Sequence, residues 1–367
     1  MQFEFDADLA EVRELTAEIF ADLASVDRVR EVEQQHGGFD DRLWATLAET
    51  GVLGLAVPDE HGGAGLGLLG LVAALEQQGR RVAPVPLAEV VATGILPLTR
   101  FGAEAQREKW LSGLLDGSQL VVGGFGRALD ARADGSGWIV TGSAPAVAGA
   151  PVAVAVLVAV TTDDGVRVAI VPTDRGGVTV TPVSVTGQGS AGTVSLEAVR
   201  IEAADLLAGG QEIVTAALTW ARIASAAVLT GVCEEAVRMT AAYTSERVQF
   251  GRPLSTNQAV TTRAADAHLD AERLRLTTRR AAWLVDRDDP ESSAAALVAA
   301  WWAARGGLRA VIATQHLHGG MGADIDYPIH RYFLWGRQIS FSLGGAAAIQ
   351  AELGDQLDTI TPIGAPA

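Results

Sequence analysis

The chain has 367 residues, 49% hydrophobic and 20% charged, enough to bury the cores of two or three domains. Its formal net charge of -16 opposes a nucleic-acid partner, because phosphate backbones are bound by clustered cations and no basic stripe is present. One cysteine, Cys233, excludes a disulfide framework and a cysteine metal site.

The N-terminal MQFEFDADLAEVRELTAEIF is acidic and amphipathic, unlike the basic start and apolar core of an export signal, so a cytoplasmic protein is expected. From Leu9 to about Leu120, apolar residues recur at helical spacing, as in LWATLAETGVLGL, which predicts a helical domain over 1–120. GLGLLG at 65–70 satisfies a dinucleotide-loop pattern, but PDEHGGA precedes it where a strand would be needed. A glycine-rich loop entering a helix is expected there.

Over 121–205 the pattern changes to short β-branched runs, WIVTG, VAVAVLVAV, VRVAIVP, VTVTPVSV and TVSLEAVRI, separated by Gly, Asp and Pro. These predict a small antiparallel β domain. The longest apolar stretch, 144–160, is broken by Pro145, Gly149 and Pro151, so it reads as buried strand and no membrane span is expected. Over 206–367 Ala-rich helical patterns return, interrupted at FGRPLS, DRDDPESS and HGGMGADIDYP, and predict a helical bundle with Cys233 in its core. No metal is expected: His316 and His318 lack a third ligand at helical spacing and read as helix-end polar residues.

The segment RVQFGRPLSTNQ places Arg247, Gln249, Phe250 and Gln258 at a helix–helix corner. In QHLHGGMG, Gln315 is followed by Gly319 and Gly320, which permit close backbone approach. An arginine for a pyrophosphate, an aromatic for a flat ring and amides for polar edges suit a dinucleotide such as FAD; polar packing between helices is the plainer alternative.

In this order, LWATLAETGVLGLAVPDEHGGAGLG, the strand region, SERVQFGRPLSTNQAV and QHLHGGMGADIDYPIHRYF resemble the acyl-CoA dehydrogenase family over nearly the whole chain. The resemblance implies a mainly α fold with a central, barrel-like β domain and a C-terminal four-helix bundle. It also implies FAD, an acyl-CoA substrate oxidised to the trans-2-enoyl thioester, and Arg247, Phe250, Gln258, Gln315 and Gly319 as holders of the ADP part of an FAD seated mainly in a neighbouring subunit. Gln249 and Gly320 are candidates beside them.

The family's catalytic glutamate is expected at Leu343, or in other members at Ala221, and neither can take a proton. The flavin-side motif corresponds to Gly123–Asp130, without its hydroxyls, and the stretch flanking the flavin to Ala146–Ala148. With one half-site retained and the other missing, the chain is similar to subunits of actinobacterial heteromeric dehydrogenases of steroid side-chain acyl-CoA. That resemblance implies a homologous partner carrying the catalytic glutamate. Two alternatives stand beside it: a self-sufficient enzyme with its base at Glu234, Glu235 or Asp266, and a flavin-free scaffold.

Overall fold

The computed structural model describes residues 5–35 and 37–357. The N-terminal part holds α1 (Ala7–Leu23), α2 (Val26–Gln35), α3 (Asp41–Glu49), α4 (Gly67–Arg81), α5 (Leu87–Glu89), α6 (Leu96–Phe101) and α7 (Glu104–Leu115), with a π turn over Val90–Ile95. Local chemistry sets their starts: the Asp6 carboxylate accepts from the Leu9 N–H at 3.1 Å, and Asp40 from that of Leu43 at 3.2 Å. Arg28 reaches the same Asp40 with two bonds of 2.9 and 2.8 Å, pinning α2 to the head of α3.

Six strands form one sheet, β1 (Val121–Asp134), β2 (Gly137–Ala148), β3 (Ala155–Thr162), β4 (Gly165–Pro172), β5 (Val178–Pro182) and β6 (Ala191–Ile201), in the order β4-β3-β1-β2-β6-β5. The expectation of wholly antiparallel pairing fails at one place: β3 runs parallel to β1. The chain turns at 135–136 into β2 and reverses again at Ala150–Val152, which returns β3 to the direction of β1 on its other side. β1 itself is hidden in the sequence by Gly123, Gly124 and Gly126 and by a charged second half. β3 is buried almost throughout, as its unbroken Ala/Val run requires.

The C-terminal part comprises α8 (Gln211–Glu246), a hairpin of β7 (Val248–Gln249) and β8 (Arg252–Pro253), then α9 (Gln258–Val285), α10 (Ser292–Trp302), α11 (Leu308–Leu317), α12 (Ile329–Ser342) and α13 (Ala346–Gly354). α8, the spine of the molecule, is long and apolar enough to cross a membrane, but two-thirds (67%) of its most apolar window is buried. It carries the buried Cys233. Its approach to α4 depends on two glycines: a Cβ on Gly79 would lie 1.9 Å from the Val228 carbonyl oxygen, and one on Gly231 1.8 Å from that of Glu76. Across the α4–α9 contact, Arg279 holds the buried Glu76 carboxylate with bonds of 3.0 and 2.7 Å.

α4 begins directly after the glycine-rich loop, with Gly65 and Gly67 at positive φ and no preceding strand, as expected for that stretch. Its first N–H groups are taken by Asp286 at the end of α9, 2.5 Å from Leu68 N and 3.0 Å from Leu69 N. Burial pushes the Asp286 carboxyl above the usual range. This helix start is therefore occupied by the chain's own carboxylate.

Candidate functional site

α8 ends at Glu246, and Arg247 caps it with its backbone N–H on the Tyr243 carbonyl at 2.9 Å. The Arg247 side chain is exposed and makes no ion pair among the described residues. The next residues form a tight hairpin. Phe250 and Gly251 sit at its tip with φ of 56° and 76°, the left-handed pair required by a two-residue turn of this hand. Phe250 is 97% exposed, so a bulky ring occupies a strained backbone position with almost no packing against the described residues. Gln249 and Gln258 are exposed on the same corner, and Asn257 spends its side chain capping α9 through the Ala259 N–H at 3.0 Å.

The glycine segment lies at the same end of the bundle. His318, buried at the end of α11, stacks on Tyr243 from the last turn of α8, with ring centroids 4.6 Å apart. Its Nδ1 is 2.8 Å from the Thr314 carbonyl oxygen, and burial lowers its pKa, so a neutral ring donating from Nδ1 fits the site. Gly319 and Gly320 follow, both exposed, and a Cβ on either would meet no atom within 4 Å. The backbone there is open to a ligand.

Gln315 also makes a bond within its own chain. Its amide nitrogen donates to the Gly322 carbonyl at 2.8 Å, which fixes the turn. The exposed side chain at this helix end is His316. Beside Gln258, a groove of about 920 Å³ runs between α9 and α11, lined by Arg263, Asp266, Arg305, Arg309 and Ile312. Asp270, fully buried at its floor, pairs with Arg309 at 2.6 Å.

The positions that would face a flavin ring and a thioester are arranged differently. Ala146, Ala148 and Ser342, next to Leu343, share a half-enclosed cavity with Pro84–Pro86, Glu89 and Trp335. Its volume is about 140 Å³, below the 300–1,000 Å³ usual for small-molecule sites. Leu343 is packed against the core, as is Ala221 on α8. On β1, a Cβ at Gly123 would fall 2.2 Å from the buried Phe125 ring, and the Gly123 N–H is taken by the Thr93 hydroxyl at 2.7 Å.

None of the carboxylates considered from the sequence lines this cavity. Glu234 is held by Arg80 at 2.5 Å and Glu235 by Arg238 at 2.6 Å, and Asp266 lies in the α9–α11 groove. The cavity's carboxyl is Glu89, which sequence reasoning missed. It sits in a helical run, LAEVVA, with no motif to mark it. Burial pushes its pKa up.

Two family models match the chain: acyl-CoA dehydrogenase, N-terminal domain, over residues 7–118, and acyl-CoA dehydrogenase, C-terminal domain, over 208–355. The acyl-CoA dehydrogenase FadE27 of Mycobacterium tuberculosis is 36% identical over 340 residues, covering 89% of this chain and 91% of its own length. Among solved structures, a chain of the ChsE4–ChsE5 complex from Mycobacterium tuberculosis superposes with a TM-score of 0.94 at 34% identity, covering 99% of this chain and 100% of that one. A chain from a variant of the Tcur3481–Tcur3483 steroid ACAD gives a TM-score of 0.90 at 41% identity, covering 96% and 98%.

Proposed function

The chain belongs to the acyl-CoA dehydrogenase family, an FAD-dependent family, and from that premise we propose that it is the subunit of a heteromeric enzyme that does not carry the catalytic base. The observation that carries this reading is the asymmetry of its two half-sites. One end of the bundle presents Arg247, Gln249, Phe250, Gln258 and the Gly319–Gly320 backbone outward, while the half-enclosed cleft beside Leu343 holds only about 140 Å³ and lacks a carboxylate at Leu343.

The exposed corner fits the ADP part of FAD: Arg247 would hold the pyrophosphate by charge-assisted bonds, Phe250 would lie against a planar ring, and Gly319 and Gly320 would admit phosphate or ribose to the main chain. His316 is an exposed polar side chain of that turn able to join them, beside the carbonyl of Gln315, whose amide nitrogen bonds Gly322. The half-enclosed cleft, at about 140 Å³, is smaller than a site for a flavin ring together with a thioester. FAD, when bound, accepts the hydride removed from the acyl chain.

By this reading the ring of that FAD, the α-proton-abstracting glutamate and the acyl pocket lie in a homologous partner, and this chain completes the dinucleotide site and excludes water from it. A bulky or steroid side-chain acyl-CoA is the proposed substrate class. Support comes from similarity to chains of a steroid ACAD and of the ChsE4–ChsE5 complex. A cytoplasmic location is proposed with it.

Steady-state oxidation of a steroid side-chain acyl-CoA with an artificial electron acceptor tests the assignment. Turnover is expected from the complex and not from this chain alone. Robust turnover by the chain alone, with its own FAD, would instead favour the self-sufficient enzyme.

A further inference from the structure

The exposed corner is assembled from two segments far apart in sequence, the end of α8 with its hairpin and the glycine turn after α11. We propose that His318 is a positioning residue that locks these segments together as a neutral ring, setting how Arg247 and the Gly319–Gly320 backbone stand to each other when a dinucleotide is held. This inference rests on the ADP reading of the corner and adds what keeps the corner in shape.

The contacts converge on one ring. His318 is 1% exposed and lies over Tyr243 of α8 with 24° between the ring planes. Tyr327, ahead of α12, stands 5.4 Å from His318 and 6.4 Å from Tyr243 between centroids, so the three rings form one cluster. On the α8 side, the Tyr243 carbonyl accepts the Arg247 N–H, and the Arg247 carbonyl accepts the Leu254 N–H at 2.9 Å, which ties the hairpin to the residue under the His318 ring. On the other side, His318 directly precedes Gly319, whose φ of 60° starts the turn. Displacing the ring therefore moves both segments.

Its hydrogen bonding fits one protonation state. Donation from Nδ1 to the Thr314 carbonyl leaves Nε2 as an acceptor, and Nε2 is buried with no hydrogen-bond partner among the described residues. A proton added there would create a charged donor with no acceptor. The neighbouring elements supply none. Tyr243 faces the ring from α8, and Glu246 of that helix bears on Tyr327. Ahead of α12, Asp324 accepts the Asp326 N–H, Asp326 pairs with Arg30, and His330 Nδ1 is 2.7 Å from the Tyr327 carbonyl oxygen. On α11 itself, His316 is exposed. Attraction of an imidazolium to a tyrosine face recovers only part of the cost of burying it. Burial accordingly holds the His318 pKa below its ordinary 6.5. The opened corner takes up the proton first as pH falls, so the lock is whole above about 6.5 and weakens below it.

The test follows FAD release from the assembled complex by flavin fluorescence between pH 8 and 5.5, beside hydrogen exchange of the isolated full chain corrected for intrinsic rates. In the unaltered complex, release should quicken as pH falls below about 6.5. His318→Ala should weaken FAD retention at pH 8 by roughly two- to tenfold, the worth of an aromatic pair. His318→Phe keeps a ring and takes no proton, so it should retain FAD better than the alanine variant and lose the acid response. In the isolated chain, His318→Ala should speed exchange both at the Arg247 amide and in the 319–323 turn. Circular dichroism should show a retained fold, and if the alanine variant unfolds, the pH response of His318→Phe decides. Faster exchange in one segment or neither, a His318→Phe complex with the original acid response, or a His318→Ala complex that keeps FAD normally while Arg247→Ala does not, would each overturn the proposal and leave the ADP reading standing. If neither His318→Ala nor Arg247→Ala changes FAD retention, the ADP reading fails and the proposal with it.

Discussion

Arg247 and Phe250 carry the dinucleotide reading, and each can be separated from the fold because neither contributes buried contacts. Arg247→Ala should weaken FAD retention in the assembled complex by about 1.5–3 kcal/mol, the range for a hydrogen bond to a charged group. Lysine should restore little, since it lacks the planar fork that matches a phosphate. Unchanged FAD affinity, measured by fluorescence on dilution, would remove Arg247 from the site. Phe250→Gly makes a complementary case. Its φ of 56° and 97% exposure mean that glycine relieves strain and gives up no packing. The isolated chain should therefore unfold at the same temperature or higher, while the complex loses flavin more readily. A drop in the thermal midpoint of the isolated chain would show that the ring supports the fold instead. At this scale the sequence was informative about chemistry and poor about direction. Arg247, Phe250 and Gly319 could be chosen by residue type and spacing. That Gln315 turns its amide back onto Gly322, and that Glu89 enters a cavity shared with β2 and α12, depend on which elements become neighbours.

The elements repeat this division between what spacing determines and what contact determines. The long helices were legible because their 3.6-residue periodicity extends over many turns, and the corner between α8 and α9 stood out as a break in it. β1 was not legible, because three glycines and alternating charges carry no strand signal, and its parallel pairing with β3 follows from sheet topology. The α4–α8 contact shows how strictly such pairing can be built. With a Cβ on Gly231 only 1.8 Å from the Glu76 carbonyl oxygen, Gly231→Ala has no room unless the two helices separate. That separation would also disturb the neighbouring Glu76–Arg279 pair. A loss of about 1–3 kcal/mol, occasionally more, is expected from overpacking of this kind. Chemical denaturation would measure it, and a change under about 0.5 kcal/mol, the scale of a neutral surface substitution, would mean that the contact is looser than described.

Across the whole molecule, the two half-sites face different fates. The half-enclosed cleft keeps the architecture of an acyl-CoA dehydrogenase, but it has no carboxylate at Leu343 or Ala221 and a volume of only about 140 Å³. The exposed corner with its strained aromatic is costly for a chain that works alone and useful to one that completes another subunit's cofactor site. If each FAD needs a flavin-facing half from the partner and an ADP-holding half from this chain, an α2β2 assembly contains two complete sites. The most direct measurement is therefore the flavin content of the purified complex, by absorbance against protein mass. Two FAD per tetramer is the expected result, and four would contradict the account, because this chain would then be seating a flavin of its own.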